Sequence, residues 1–378
     1  MIVNEISLDA FRNYSAETVR FEEGVNVIVG KNAQGKTNLI EAIYYITAGK
    51  SFRPATDKDL ISFKCETASV KASVESIGRQ QSLEIRLFRR RRRELYANGA
   101  KLKKTIELTG RLTSVMFGPD DLNMIKDGAV VRRKLMDHSL SQLRPGYLAA
   151  LTEFNKLHEH KTRILKHYRE KPSLLELLDD YDLRLAEQSA RLIYYRTAFA
   201  AGISRRAASI HRDFSDGTEE LSIRYKTVGS NDFSGKKPDQ ILPELIKHQQ
   251  EHRQAELHSG YCLSGAHKDD LEIYINGIPA RKYASQGQAR TAAVSVKLAE
   301  RDIHYDDKGE YPILLLDDVL SELDQKRQSF ILDKITDGQV LITCCDENEA
   351  LSAFGGSVLR IENGKLKEKN PVRNVGSL

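Results

Sequence analysis

Apolar and polar residues alternate near the start of the chain, with Ile6, Leu8 and Ala10 on one side, the period-two pattern of a half-buried strand. An apolar run, Val25-Asn26-Val27-Ile28-Val29, then stops at Gly30, as a fully buried strand would. From Lys36 the period changes, and Leu39, Ile40, Ile43 and Tyr44 recur at helical spacing. Beyond Val70 alternation returns. Asn98-Gly99 within ELYANGAKL marks a two-residue hairpin turn, and Asn276-Gly277 within LEIYINGIP marks another. The last third alternates strand and helix: ILLL at Ile313–Leu316, a helix near Gln325–Ile335, and VLIT at Val340–Thr343. Such alternation predicts a layered α/β domain.

The middle differs. From about Pro145 to Arg212 glycines are almost absent and no strand pattern stands out. Leu178, Tyr181, Leu185, Gln188, Leu192, Tyr195 and Phe199 follow a 3-4 repeat, and Leu151, Phe154, Leu165 and Tyr168 form a weaker stripe before it. Lys171-Pro172-Ser173 separates the two, which predicts a helical hairpin packed as a short antiparallel coiled coil. A helix of roughly 30 residues reaches about 45 Å, which excludes a long rod. Gly229–Pro243 is polar and predicts a loop at the base of this insertion.

Composition narrows the class. With 378 residues, 40% hydrophobic and 29% charged, the chain can bury a substantial core as two domains or as one domain with an insertion. The N-terminal residues lack a signal-peptide pattern, and no apolar run approaches the ~20 residues that span a bilayer. Cys65, Cys262, Cys344 and Cys345 show no paired spacing, which predicts neither a disulfide framework nor a zinc site and fits a reducing cytoplasm. A net charge of only +5 means that an anionic partner must be held by a local patch.

Gly30-Lys31-Asn32-Ala33-Gln34-Gly35-Lys36-Thr37 matches GxxxxGK[ST] between a strand and a helix. There the glycines let backbone N–H groups curl around phosphates, Lys36 supplies charge, and Thr37 can ligate Mg²⁺. Without that chemistry it would be an ordinary strand–turn–helix. Ile313–Leu316 leads into Asp317-Asp318, two acids at the end of a buried strand. Asp317 is expected to hold Mg²⁺ through its water shell, and Asp318 to orient or deprotonate the attacking water. Ser321–Asp324 follows, by itself a helix N-cap. The stretch YASQGQART at Tyr283–Thr291 is, alone, a loop before a helix starting near Ala289.

Five consecutive arginines, Arg89, Arg90, Arg91, Arg92 and Arg93, precede the Asn98-Gly99 hairpin, with Lys101, Lys103 and Lys104 on the return strand. A charged edge strand blocks strand addition. Five in a row exceed that need, since their repulsion asks for a neutralising anion. Nucleic-acid phosphate contact is expected, to duplex rather than to stacked single-strand bases, because no aromatic interleaves. Arg132, Arg133 and Lys134 are a weaker candidate, expected to face water, and His267, Asp269 and Asp270 lack a third well-spaced metal ligand.

GKNAQGKTN, SQGQART and ILLLDDVLSELD, in that order around a helical insertion, resemble the ABC-type ATPase heads of the SMC class. ISLDAFRNY, NLIEAIYYI, KSFR, VMFGPDDL, RRKLMD and SGAHKDDLEI resemble segments of the RecF family in the same order, from about Ile6 to Glu362. The resemblance implies an α/β ABC-type head with mixed sheets, formed by 1–116 together with 258–378, and a mainly helical insertion lobe at 117–257. It implies that ATP with Mg²⁺ is bound by the phosphate loop, and that two protomers face each other head-to-tail. Ser285, Gly287 and Gln288 of the signature would then complete the partner's ATP site, Arg12 would approach the phosphates, and Ser321–Asp324 would line the interface. An ATP-dependent homodimer on double-stranded or gapped DNA, assisting RecA loading with RecR and RecO, is the implied function. Asp318 stands where ABC proteins carry Glu, SQG replaces SGG, Cys345 of ITCCDE stands where a switch histidine is usual, and no Q-loop glutamine occurs near Met116–Asp121. These departures imply a slow ATPase, a switch rather than a motor. A P-loop kinase would not need SQGQ, and a transporter subunit would show a Q-loop and no arginine hairpin.

Overall fold

The computed structural model describes residues 1–229, 232–345 and 356–371. Its strands are β1 (Ile2–Phe11), β2 (Tyr14–Arg20), β3 (Val25–Val29), β4 (Thr67–Ser76), β5 (Arg79–Phe88), β6 (Glu94–Ala97), β7 (Ala100–Leu102) and β8 (Ser114–Phe117). They continue with β9 (Leu221–Lys226), β10 (Asp270–Ile275), β11 (Ile278–Pro279), β12 (Ile313–Leu316), β13 (Val340–Cys344), β14 (Ser357–Glu362) and β15 (Lys365–Pro371). The helices are α1 (Lys36–Ala48), α2 (Pro119–Leu122), α3 (Ala129–Leu143), α4 (Pro145–His167) and α5 (Leu178–Phe214). After them come α6 (Pro238–Ser259), α7 (Ala280–Tyr283), α8 (Gln286–Lys308) and α9 (Gln325–Lys334).

The chain divides into two units, Met1–Asn123 with the chain from Lys297 onward, and Met124–Val296. The first holds two six-stranded sheets. One is antiparallel, in the order β2-β1-β4-β5-β6-β7. The other runs β15-β14-β3-β13-β12-β8, parallel except for β15. Strands covered on both faces need apolar residues at every position, which is why β12 reads ILLL and is buried throughout. The antiparallel β4 alternates buried and more exposed positions, as one covered face requires. Helix α1 is buried nearly all round, and its Leu39, Ile40 and Ile43 share one core with residues of both sheets.

In the second unit, α4 and α5 are the expected hairpin, with α5 at 37 residues, about 55 Å long. A third helix, α6, which no clear apolar stripe in the sequence marks, packs on α5 too. Gly229–Pro243 is therefore not all loop: α6 starts at Pro238 and carries Pro243 within its first two turns, while Ser230 and Asn231 lie outside the described residues. The reason lies on α5, which carries two apolar stripes. Leu178, Leu185, Leu192 and Phe199 follow the repeat read from sequence, whereas Ala186, Ala190 and Ile193 form a cluster with Phe233, Ile241 and Leu245. The three-stranded sheet β11-β10-β9 completes this unit. Residues 258–296, expected with the head, pack here because β10 pairs with β9 and lies against α3.

Buried charge ties this unit together. Arg196 of α5 donates to Asp269 Oδ2 (2.6 Å), Asp137 Oδ1 (2.8 Å), the Ala266 carbonyl (2.6 Å) and Tyr147 Oη (2.9 Å). Asp269, fully buried, also accepts from Tyr225 and Thr227, each at 2.5 Å. Arg132, expected to face water, is instead buried and bidentate on Asp270 (2.7 and 3.0 Å), and Arg133 donates to the Asp269 carbonyl (2.7 Å). RRKLMD and SGAHKDDLEI thus meet as partners. Asp269→Asn removes one of the two carboxylates on Arg196 and leaves Asp137. It is expected to cost roughly 1.5–3 kcal/mol, read as a lower urea midpoint at unchanged slope.

Candidate functional site

Register alone assembles the phosphate end of the first unit. Val29 of β3 pairs with Cys344 of β13, and Ile342 of β13 pairs with Leu316 of β12. Because the three strands run parallel, the segments after each emerge at one edge: the phosphate loop, Asp317-Asp318 and Cys345. Such edges, beyond the carboxyl ends of parallel strands, are where α/β sheets bind ligands.

The loop is held in shape by protein groups on two sides. Gly30 is obligatory because a Cβ there would lie 2.4 Å from the Ile361 carbonyl, and Gly35 because its φ of 118° and the Asn13 and Tyr14 side chains leave no room. Asn13 donates to the Gln34 carbonyl (3.1 Å) and Tyr14 to the Gly35 carbonyl (3.0 Å). On the other side the β14–β15 turn reaches Gln34 through Asn363 N–H to Oε1 (2.7 Å) and Gly364 N–H to the carbonyl (2.9 Å). Lys36 is buried and curls back over the loop, donating to the Gly30 carbonyl at 2.7 Å, with Cys345 Sγ at 3.4 Å. Cys345 in turn donates to Asn32 Oδ1 (3.0 Å). Asp346 and Glu347 of ITCCDE lie outside the described residues.

Thr37 Oγ1 donates to Asp317 Oδ1 at 2.9 Å. Thr343, a polar residue in the otherwise apolar VLIT strand, places its hydroxyl 3.0 Å from Asp317 Oδ1 and 3.1 Å from Asp318 Oδ1, and accepts from the Asp318 N–H (2.8 Å). Burial pushes the Asp317 carboxyl up, opposed by these two hydroxyls and raised further by the neighbouring Asp318 charge. Asp318 itself sits at φ 51°, a left-handed conformation rare for a residue with a Cβ, and half-buried. Thr37 Oγ1 and the Asp317 carboxylate offer oxygen donors 2.9 Å apart, the donor type Mg²⁺ takes, with Asp317 placed to reach the ion through its water shell.

Arg12 is committed elsewhere. Its guanidinium is bidentate on Glu41 (2.9 and 2.7 Å), a fully buried carboxylate, and donates to the Asp59 carbonyl (2.9 Å). Glu41 also accepts from Ser51 (2.6 Å) and lies 3.7 Å from Arg53. A phosphate contact from Arg12 would require it to leave this pair.

In the second unit the signature stretch is already ordered. α8 begins at Gln286, three residues before the expected start, because Ser285 and Gln288 form a reciprocal capping box. Gln288 N–H donates to Ser285 Oγ (3.1 Å), and Ser285 N–H to Gln288 Oε1 (2.9 Å). Ser285 is exposed. Gln288 Nε2 reaches Glu219 Oε1 (2.8 Å), whose other oxygen meets His211 Nε2 (3.0 Å) on the last turns of α5. Burial lowers the pKa of His211, against the pull of Glu219, so a neutral ring donates to the carboxylate. Nothing in the local sequence marks Glu219 or His211 as partners of SQGQ.

The arginine run is not one strip. Arg89 turns inward to the carbonyls of Cys65 (2.7 Å), Ser62 (3.0 Å) and Ile61 (3.2 Å), and Arg93 to Tyr45 Oη (2.9 Å), Thr105 (3.1 Å) and Asp57 (3.3 Å). Arg91 lies over the Phe88 ring and, with Lys101, donates to Glu94, whose carboxyl they hold down at about 2. Arg90 faces Glu66 at 3.7 Å, while Arg92, Lys103 and Lys104 are exposed. An open cleft of about 1050 Å³ runs past Lys50, Arg91, Arg92, Arg93, Lys101 and Lys103. Among the described residues no helix is long and apolar enough to cross a membrane.

Residues 2–365 match the family described as the RecF/RecN/SMC N terminal domain. A relative from Acetivibrio thermocellus, named DNA replication and repair protein RecF, is 37% identical over 97% of this chain and 99% of its own. Two solved structures of the recombination mediator protein RecF in the RecFOR pathway, one with ATPrS and one with ATP, superpose with TM-scores of 0.90 and 0.88. Each is 34% identical and covered over 97% of both chains. With its ABC-type ATPase head of mixed α/β sheets, this chain belongs to the RecF family.

Proposed function

We propose that this chain is an ATP-dependent DNA-binding switch of replication and repair, completed by dimerisation. The observation that carries the proposal is the convergence of Lys36, Thr37, Asp317, Thr343 and Asp318 at one edge of the parallel sheet. The solved relatives bound to ATP and ATPrS support it.

Lys36 exchanges the Gly30 carbonyl for phosphate oxygens, and the amides of Asn32–Thr37 line the loop around them. Thr37 and Asp317 would hold Mg²⁺, which would supply charge to the phosphates. Thr343 fixes both acids, and Asp318 orients the attacking water and takes its proton. An aspartate is one methylene shorter than the usual glutamate, so this base reaches less far and hydrolysis is slow. Cys345 supplies no imidazole. Arg12 acts as a strut, holding the β1–β2 turn that pins Gln34 and Gly35.

Ser285 works in trans. Its Oγ accepts from Gln288, which leaves the hydroxyl proton free to donate to a partner's γ-phosphate, at a helix N-terminus that favours anions. Gly287 lets the partner's phosphates approach, and Ser321–Asp324 lines the same interface. The closed dimer clamps duplex, with gapped DNA as the repair substrate and RecO, RecR and RecA as the partners along that route.

Four sets of variants test this. Lys36→Ala is expected to lose ATP binding, whereas Ser285→Arg keeps it and loses the ATP-induced dimer in sedimentation; dimers from both variants would sink the shared site. Glu219→Ala removes a hydrogen bond to a charged group that steadies Gln288, and is expected to weaken the ATP-bound dimer about tenfold at unchanged ATP affinity of the monomer. Replacing Arg92, Lys103 and Lys104 by Ala is expected to lower the salt dependence of duplex binding by about 2–3 log units per log unit of salt. Arg89→Ala is expected instead to lower the melting temperature, because its donors serve carbonyls.

A further inference from the structure

Between α4 and the segment linking α6 to β10, three metal-ligating side chains converge that sequence spacing keeps apart. A ring nitrogen of His158, Cys262 Sγ and a ring nitrogen of His267 all lie within 4.8 Å of one another. His267 and His158 also pack ring on ring at 4.3 Å between centroids, with Phe154 flanking both.

The state of His267 is fixed by its neighbour. Its Nε2 lies 3.0 Å from the Cys262 carbonyl, which can only accept, so Nε2 carries the proton. The other nitrogen, Nδ1, is then a bare lone pair, and it is buried with no partner. Buried acceptors are almost always satisfied, so an orphan of this kind asks for an occupant. A histidine that donates one nitrogen to a backbone carbonyl and leaves the other free is in the arrangement that orients imidazole towards a metal.

Charge points the same way. Lys161 lies 2.7 Å from both Asp182 and Glu256, and Glu256 accepts from the N–H groups of Leu263 (2.6 Å) and Ser264 (3.3 Å), next to Cys262. Arg253, 3.7 Å from Asp182, offsets part of this cluster's negative charge, so the charge that faces a divalent cation comes from the Cys262 thiolate formed on binding. Of the cations nearest His267, Arg133 is set among Asp137, Asp269 and Asp270, and Lys268 is the other. Thiolate with two imidazoles is a donor set for zinc rather than magnesium or calcium.

We propose that His158, Cys262 and His267 bind one zinc-type divalent ion, which staples helix α4 to the chain entering β10. Three protein ligands leave one position for water. On binding, Cys262 gives its thiol proton to solvent and forms the sulfur–metal bond. This site is independent of the nucleotide site, whose Thr37 and Asp317 offer only oxygen.

The probe is Co²⁺, added to the full-length, reduced, metal-free chain. One equivalent is expected to give a sulfur-to-cobalt charge-transfer band in the near ultraviolet and tetrahedral-intensity bands in the visible, all removed by Zn²⁺. A chain with Cys65, Cys344 and Cys345 changed to Ser is expected to keep the charge-transfer band, and Cys262→Ser to lose it. No such band in the unaltered chain, or its survival in Cys262→Ser, would overturn the proposal. A second reading does not depend on that variant folding. Zn²⁺ is expected to slow alkylation of Cys262, mapped by mass spectrometry, at least tenfold, with a chelator restoring the rate; unchanged alkylation would equally refute the site.

Discussion

The parallel register of β12, β13 and β3 is the constraint on which the nucleotide end depends. Each strand contributes one piece at its carboxyl end, and a slip of one residue would turn Asp317 or Thr343 to the other face of the sheet. Apolar side chains on both faces prevent that slip: Ile313, Leu315 and Leu341 belong to the core shared with α1, and Leu314, Leu316 and Ile342, which point the other way, are buried too. Core packing therefore sets the 2.9 Å between Thr37 and Asp317 and the 3.0 Å between Thr343 and Asp317.

Loop geometry shows the same dependence. Phosphate loops need backbone amides aimed inward, a conformation that costs strain unless it is held. Here the opening β1–β2 turn and the β14–β15 turn, far apart in sequence, hold it from two sides through Asn13, Tyr14, Asn363 and Gly364. The ISLDAFRNY segment supplies Asn13 and Tyr14 to the loop and pairs Arg12 with Glu41.

Much of this was legible from sequence where one residue's role is local. GKNAQGKT, the ILLL-DD strand end, both Asn-Gly hairpins and the α4–α5 hairpin are written in short patterns of period and turn chemistry. Less legible were features made by partners distant in the chain. The second stripe on α5 is built from alanines, which carry little periodic signal, so α6 went unseen. Arg132 and Arg196 look like surface residues until Asp270 and Asp269 arrive from more than 70 positions away. The arginine run is divided only by the fold: of five identical letters, two brace carbonyls and hydroxyls and the others lie at the surface.

The signature stretch shows why such distant partners matter for mechanism. A capping box alone fixes Ser285 relative to α8, worth about 1 kcal/mol, and would let the whole helix start shift as a body. The chain Gln288–Glu219–His211 removes that freedom, because Glu219 follows the turn after α5 and His211 is buried on α5 itself. A neutral His211 can donate from Nε2 while Nδ1 lies 3.4 Å from Ser295 Oγ, two turns further along α8. The helix is thus tied at its first turn and again below it to the same end of α5. A displacement of that end cannot leave Ser285 in place without breaking a hydrogen bond to a buried or charged group, at a cost of roughly 1.5–3 kcal/mol. Under the proposed trans-acting ATP site, the state of the long helix would be a term in the affinity of one protomer for its partner's nucleotide.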